Sequence, residues 1–505
     1  MSSRSQKYFD ENKPHAGLGR RSLHSGVAFI AARGLNILVQ VGSTILLARL
    51  LNPHDYGLVA MVSALIGFAP MLIDLGTTDA TVQRERITHA DASSLFWLKL
   101  AIGGALALLL AGGSGFVASF YGEPALTGIM IASSLSLVMA ALSSQHFALM
   151  RRAMQFRSIA IIDISSNVIS SIIAIAMALT GWGYWALVAK PILTTGLSAV
   201  AVWLTCPWVP GRPRFSAGAK EMVRFGMSVT GFTMTDYWAR SADRISLGYF
   251  YGAGPLGYFQ NAFLLYDNVL SLFTQLHDVA VASLSKLRND VDELKRSWAA
   301  ALSSLSFFSA AAFAVLAVTA QDFVVLLLGQ KWAPAGPLVC IFAVKGIAHV
   351  VERSLGWLHV AAGRPDRWMR WGVFSAICQL VAVFAGIPFG LAGVAAAHAI
   401  VTFCLFIPAL AYAGQPLGIG AKDVVRAVGP QILAALSTVA IGYMVQRAFL
   451  ADLPQLTRFL VSVPTCLAAY LAVIVGVFRV TAPIHLVFSL LRDFSPFPIR
   501  LRRTP

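Results

Sequence analysis

Charge is what this sequence has least of. Asp, Glu, Lys and Arg make up 12% of 505 residues, about half of what a soluble chain of this length carries. With 57% apolar residues and a mean hydropathy of +0.70, that scarcity excludes an ordinary soluble globular protein. Ligand motifs are missing too. Cys206, Cys340, Cys378, Cys404 and Cys466 are scattered through apolar segments with no CxxC pair, so they read as small packing residues. His146, His277, His349, His359 and His398 stand isolated, without an HExxH or Cys/His spacing, which excludes a metal site of the usual kind. There is no GxxxxGK[ST] loop to cradle a phosphate, so the chain lacks an ATP-hydrolysing site of that type.

What is there is a succession of apolar runs. Fourteen candidate spans extend from 26–47 to 459–478, each long enough to cross a hydrocarbon core of about 30 Å. The expected fold is an all-α polytopic membrane protein with about 14 transmembrane helices. The connections alternate in charge. Of 39 Lys and Arg, 27 fall in one set of connections and 4 in the other. Such an asymmetry puts both termini and the basic loops in the cytoplasm. It also accounts for the net charge of +16 without nucleic acid. The polar, basic segment at the start is read as a cytoplasmic tail and not a signal peptide. The outer connections are short, the longest about a dozen residues, which leaves no room for an extracytoplasmic catalytic domain.

Laid over itself with a shift of 200, the chain repeats. Gly26 meets Gly226, and LARLLNPHDYGLVA (47–60) meets LGYFYGAGPLGYFQ (247–260), aligning Gly57 with Gly257. The expected organisation is a cytoplasmic tail (1–25), an N-terminal lobe of spans 1–6 (26–220), a parallel C-terminal lobe of spans 7–12 (221–415), and spans 13–14 with a basic tail (416–505). Parallel repeats of this kind imply alternating access around a central cleft. The first helix of each copy carries a polar stripe: Arg33, Asn36, Gln40, Ser43 and Thr44 in one, and Thr233, Asp236, Arg240, Asp243 and Arg244 at the same positions in the other. Their spacing is that of one helix face, expected to look into the cleft.

A charge facing lipid at mid-membrane costs about 2.5–3.5 kcal/mol, so these charges must meet protein, water or ligand. Asp236 and Arg240 are four apart and Arg240 and Asp243 three apart, which allows a self-neutralising network. Alternatively the arginines hold an anionic headgroup, since guanidinium binds phosphate bidentately. Lys99, Asp163, Lys190, Asp267, Asp278, Lys345, Glu352 and Arg353 complete the inventory of ionisable residues in apolar surroundings. Among them, Asp163 and Lys190 are candidates for a coupling or charge network and for a simple pair. Lys345 is a second candidate anion anchor.

LARLLNPHDYGLVA, MRRAMQFRSIA (150–160), TGWGYWALVA (180–189), SADRISLGYFYGAGPLGYFQNAFLL (241–265), LGQKWAPAGPLV (328–339) and AAGRPDR (361–367) carry a resemblance. The chain resembles the Wzx-type polysaccharide-exporting flippases of the multidrug/oligosaccharidyl-lipid/polysaccharide superfamily over most of its first twelve spans. The resemblance implies a membrane transporter, not an enzyme, that flips an undecaprenyl-diphosphate-linked oligosaccharide across a bacterial inner membrane. It implies two six-helix lobes, a cationic cleft, no cofactor, and coupling to H+ or Na+. The partners it implies are the lipid-linked oligosaccharide, membrane lipids, a polysaccharide polymerase and chain-length or export proteins. Asp243 and Arg244 match the family's motif before its LG segment. A multidrug/cation antiporter of the same superfamily would need a net anionic cleft, whereas the inventory here is mixed to cationic. A polymerase or ligase would need a large outer loop.

Overall fold

A computed structural model describes residues 8–9, 18–214, 216–274, 290–361 and 364–484, and every regular element among them is helical. Among the described residues, ten segments are long and apolar enough to cross a membrane. One of the ten, Asp366–Leu417, is two helices joined at a turn, α15 (Pro365–Gly386) and α16 (Gly390–Gly414). The chain divides into two compact units, Met1–Gln260 and Asn261–Pro505.

The first unit begins with α1 (Leu18–Leu50). The second span, Pro53–Gln83, is built from three pieces: α2 (Pro53–Ile66), α3 (Ala69–Asp74) and α4 (Thr77–Gln83). Asn52 and Asp55 close a capping box at its start, with Pro53 in the first turn, where a missing N–H costs nothing. The break between α3 and α4 is Leu75–Gly76, both left-handed with φ of 48° and 64°. Hydroxyls satisfy what the break exposes: Thr77 Oγ1 donates to the Asp74 carbonyl at 2.6 Å. Interrupted backbone is tolerated at membrane depth only with such local partners. α5 (His89–Gly112), α6 (Ser114–Tyr121), α7 (Ala125–Arg152), α8 (Phe156–Leu179) and α9 (Trp185–Thr205) follow. α7 packs on α5 and α9, and α8 packs on α1 and α9. Small residues permit these approaches, as where Gly103 faces Ala141.

The first unit also takes in α10 (Ala217–Tyr251) and the start of α11 (Ala253–Thr274). α10 lies on α2, α4 and α5. Two contacts, one made by α10 and one by the start of α11, admit no side chain. A Cβ at Gly226 would lie 1.8 Å from the Leu75 carbonyl oxygen. At the far end the contact is reciprocal: a Cβ on Gly57 would lie 1.7 Å from the Ala253 oxygen, and one on Gly257 1.8 Å from the Pro53 oxygen. Residues 53 and 57 thus meet 253 and 257 in exchanged pairs, the signature of a local two-fold, with the 200-residue shift read from the sequence.

The second unit continues with α12 (Val291–Leu328), α13 (Gly336–Arg353), α14 (Leu355–Ala361), α15, α16, α17 (Ala421–Phe449) and α18 (Gln455–Leu471). α12 is its buried axis, packed on α13, α17 and α18. Close contacts recur here too, Gly346 against Phe313 and Gly442 against Val318.

Gly257→Val drives a side chain into a carbonyl oxygen and is expected to lower the thermal midpoint of the purified protein by about 3 °C. A loss of roughly 3 kcal/mol has that size in a chain this long. Gly254→Ala, where a Cβ meets nothing within 4 Å, should leave the midpoint unchanged.

Candidate functional site

α10 carries Lys220, Glu221 and Arg224 near its start and a second group of charges, Asp236 to Arg244, between apolar stretches, and this second charged turn defines the candidate site. Its N-terminus is fixed by Ser216, whose hydroxyl accepts from the Ala219 N–H at 3.1 Å and donates to Asp91 at 2.6 Å. Mid-helix, Tyr237 ties α10 to α2, its hydroxyl donating to the Ser63 and Ala64 carbonyls at 3.1 and 3.0 Å. Further along, Gly248 rests on Met61 and Tyr121. At about 100° per residue, Ser241 and Arg244 share that α2-facing side. Arg240 and Asp243 lie further round the helix.

The geometry separates the two arginines. Arg244 is held: its Nη2 donates to Ser241 Oγ at 3.2 Å and its Nε lies 3.8 Å from Asp243 Oδ1. Asp243, 7% exposed, also accepts from the Arg244 backbone N–H at 2.6 Å. Arg240 is exposed. The side chains of Arg33, Thr233 and Asp236 lie outside the described residues, as do Asp278 and His277.

The stripe on α1 turns at least partly inward. Asn36 accepts from Asn167 of α8 at 2.6 Å, and Ser43 accepts from Lys190 of α9 at 2.5 Å. Ser43 and Thr44 both donate to the Gln40 carbonyl, while the Gln40 side chain is exposed. The expected pairing of Lys190 with Asp163 is not formed. The antiparallel helices α8 and α9 are level where Ser170 meets Thr194 at 2.6 Å. That register puts Lys190 opposite residue 174, some eleven residues or roughly 16 Å along the axis from Asp163. Lys345 is buried on α13 in the second unit.

A family model described as "Polysaccharide biosynthesis protein" matches residues 46–337. That is more than half of the chain. The chain belongs to this polysaccharide biosynthesis family. Among relatives, it is 24% identical over 369 residues to the lipopolysaccharide biosynthesis protein WzxC of Escherichia coli (72% of this chain, 73% of the relative). It is 25% identical over 345 residues to the teichuronic acid biosynthesis protein TuaB of Bacillus subtilis (67% and 71%). It is 25% identical over 355 residues to the succinoglycan biosynthesis transport protein ExoT of Rhizobium meliloti (68% and 69%). Among solved structures, its fold is similar to that of the lipid II flippase MurJ in an inward closed conformation, with a TM-score of 0.68, 15% identity and coverage of 90% and 99% of the two chains. It is also similar to an inward-facing multidrug resistance MATE transporter, with a TM-score of 0.62, 11% identity and coverage of 76% and 94%.

Two ion pairs in this family member escaped the sequence reading. Lys99 on α5, 1% exposed, donates to Asp74 at 3.0 Å, to Ser144 at 3.0 Å and to Thr78 at 3.3 Å. Thr78 closes the cluster by donating to Asp74. The cluster braces the Leu75–Gly76 break. In the second unit, Arg458 of α18 donates from Nε and Nη2 to Asp322 of α12, itself 2% exposed. Asp322 stands alone in an apolar run, which is the sequence signal for a buried partner. The histidines His146, His349, His359 and His398 lie among aromatic or polar neighbours, His146 for example 4.3 Å from the Trp203 ring and 5.0 Å from Trp208.

Lys99→Met leaves Asp74 without its cation and is expected to cost roughly 3 kcal/mol, as for other broken buried pairs. Adding Asp74→Asn should recover more than half of that loss in a double-mutant cycle of denaturation free energies.

Proposed function

We propose that the chain flips an undecaprenyl-diphosphate-linked oligosaccharide from the cytoplasmic to the outer leaflet of a bacterial inner membrane, for exopolysaccharide, capsule or O-antigen assembly. The observation that carries this reading is the charged turn of α10, with two arginines and two aspartates between apolar stretches of one long helix. Arg244 is oriented by Asp243 and Ser241, and Arg240 is exposed. A diphosphate meets such guanidinium groups bidentately. Family membership supports the reading, and so do relatives whose names join them to lipopolysaccharide, teichuronic acid and succinoglycan biosynthesis. The fold is shared with a lipid II flippase.

In this reading fourteen helices form two parallel lobes, 26–220 and 221–415, with 416–505 appended and both termini cytoplasmic. The reciprocal contact of Pro53 and Gly57 with Ala253 and Gly257 supports the repeat on which those lobes rest. The protein is a transporter and not an enzyme. Its cycle is alternating access, driven by H+ or Na+, and it hands its product to a polymerase and to chain-length or export proteins. Lys345 is a further anchor for the anion, and the Asp243–Arg244 pair opens when the headgroup arrives.

Arg240→Ala and Arg244→Ala are each expected to reduce polymer export in a producing host at least about tenfold, one charge-assisted contact being worth roughly 1.5–3 kcal/mol. Protein levels in the membrane should be unchanged by immunoblot. Normal export by both variants would remove the headgroup role from this turn.

A further inference from the structure

Lined by His89, Ala90, Ser93, Gly211, Arg212 and Arg214, a cavity of about 360 Å³ opens where the start of α5 meets the segment that links α9 to α10. Its walls are fixed before any ligand arrives. His89 Nε2 lies 3.1 Å from the Val209 carbonyl, and Ser93 Oγ accepts from the Gly211 N–H at 2.9 Å. The Trp97 indole donates to the Gly211 carbonyl at 2.8 Å. Trp208, 1% exposed, anchors the same segment in the apolar core. Gly211 has little room for a side chain, since a Cβ there would lie 3.1 Å from the His89 ring.

The charge of this cavity is not balanced from within. Arg212 and Arg214 are exposed, and no carboxylate pairs with either among the described residues. The nearby Asp91 is engaged by Thr88 and Ser216. The surroundings fix the depth. Trp97 and Trp203 are partly exposed beside the cavity, and amphipathic rings of this kind sit at headgroup level. Next to them Leu204 and Val209 are 84% and 66% exposed, apolar surface suited to an acyl chain.

We infer that this cavity is a binding site for a phosphate-bearing anion supplied by the headgroup of an anionic phospholipid, with Arg212 and Arg214 on the phosphate and an acyl chain along Trp203, Leu204 and Val209. The site is distinct from the charged turn of α10 and does not rest on the transport reading. A lipid held there would fasten the segment joining α9 and α10 to the leaflet.

The test uses the full chain purified in detergent, with lipid binding followed by native mass spectrometry and by thermal midpoint. Dioleoylphosphatidylglycerol should bind and raise the midpoint, while dioleoylphosphatidylcholine and inorganic phosphate should not. Arg212→Gln/Arg214→Gln should weaken the phosphatidylglycerol complex about thirtyfold, a factor of about five for each arginine near an anionic surface. Its midpoint without lipid should match the parent's. Arg364→Gln/Arg370→Gln removes the same charge from other exposed positions and should change binding less than about twofold. Equal weakening by that control pair would reduce the effect to general positive charge and overturn the site. Undiminished binding by the Arg212/Arg214 variant would do the same, and equal stabilisation by inorganic phosphate would overturn the lipid as the source.

Discussion

The carbonyl oxygen of Pro53 occupies the space that a Cβ at position 257 would need. On this contact, and on its counterparts at Gly57 and Gly226, rests the arrangement of the first unit. In a membrane, apolar surface gains little by turning from lipid to protein, so helices are held by close packing and polar contacts. Backbone against backbone is the closest packing available. It brings the start of α11 onto α2 and lays α10 on the Leu75–Gly76 break, and between these contacts the Tyr237 hydroxyl meets the Ser63 and Ala64 carbonyls. Arg244 and Ser241 then share the α2-facing side of α10, so the charged turn is located by glycines that carry no chemistry of their own.

The ionisable groups sort by how they are neutralised. Lys99 with Asp74 and Arg458 with Asp322 are local pairs that join neighbouring helices. They resemble clamps. Lys190 differs, with a hydroxyl as its partner across the α1–α9 contact. The α10 turn is intermediate, since Asp243 braces the guanidinium of Arg244 at 3.8 Å, a looser pairing than either clamp. A group that must receive an anion has to be positioned without being fully spent on a partner, and among the groups described α10 fits that requirement best.

Much of this was legible in the sequence, for physical reasons that can be named. Long apolar runs fix all-helical membrane architecture because hydrocarbon leaves backbone groups no other partners. The 200-residue shift was legible because Gly57 and Gly257 are both held to glycine by the same contact. Side-chain pairing was less legible. Asp163 and Lys190 are close in hydropathy profile, but the register of α8 against α9 separates them, and register is a tertiary property. Asp74 closes an apolar run in the sequence; the left-handed break at Leu75–Gly76 follows it, and its carboxylate meets Lys99. The inward turn of Asn36 and Ser43 likewise depends on which neighbours α1 acquires.

The exchanged contact of residues 53 and 57 with 253 and 257 has a consequence for how such a chain can change. Consider a precursor of half the length, closing on a second copy of itself about the same local axis. Its single glycine would appear in both partners, and one altered codon would place two methyl groups against two carbonyl oxygens at once. Fusion of the halves into one gene lifts that doubling, because each glycine then answers for one clash only. Away from the axis no contact ties a residue to its own counterpart, so a change there would act once in each contact even in such a pair.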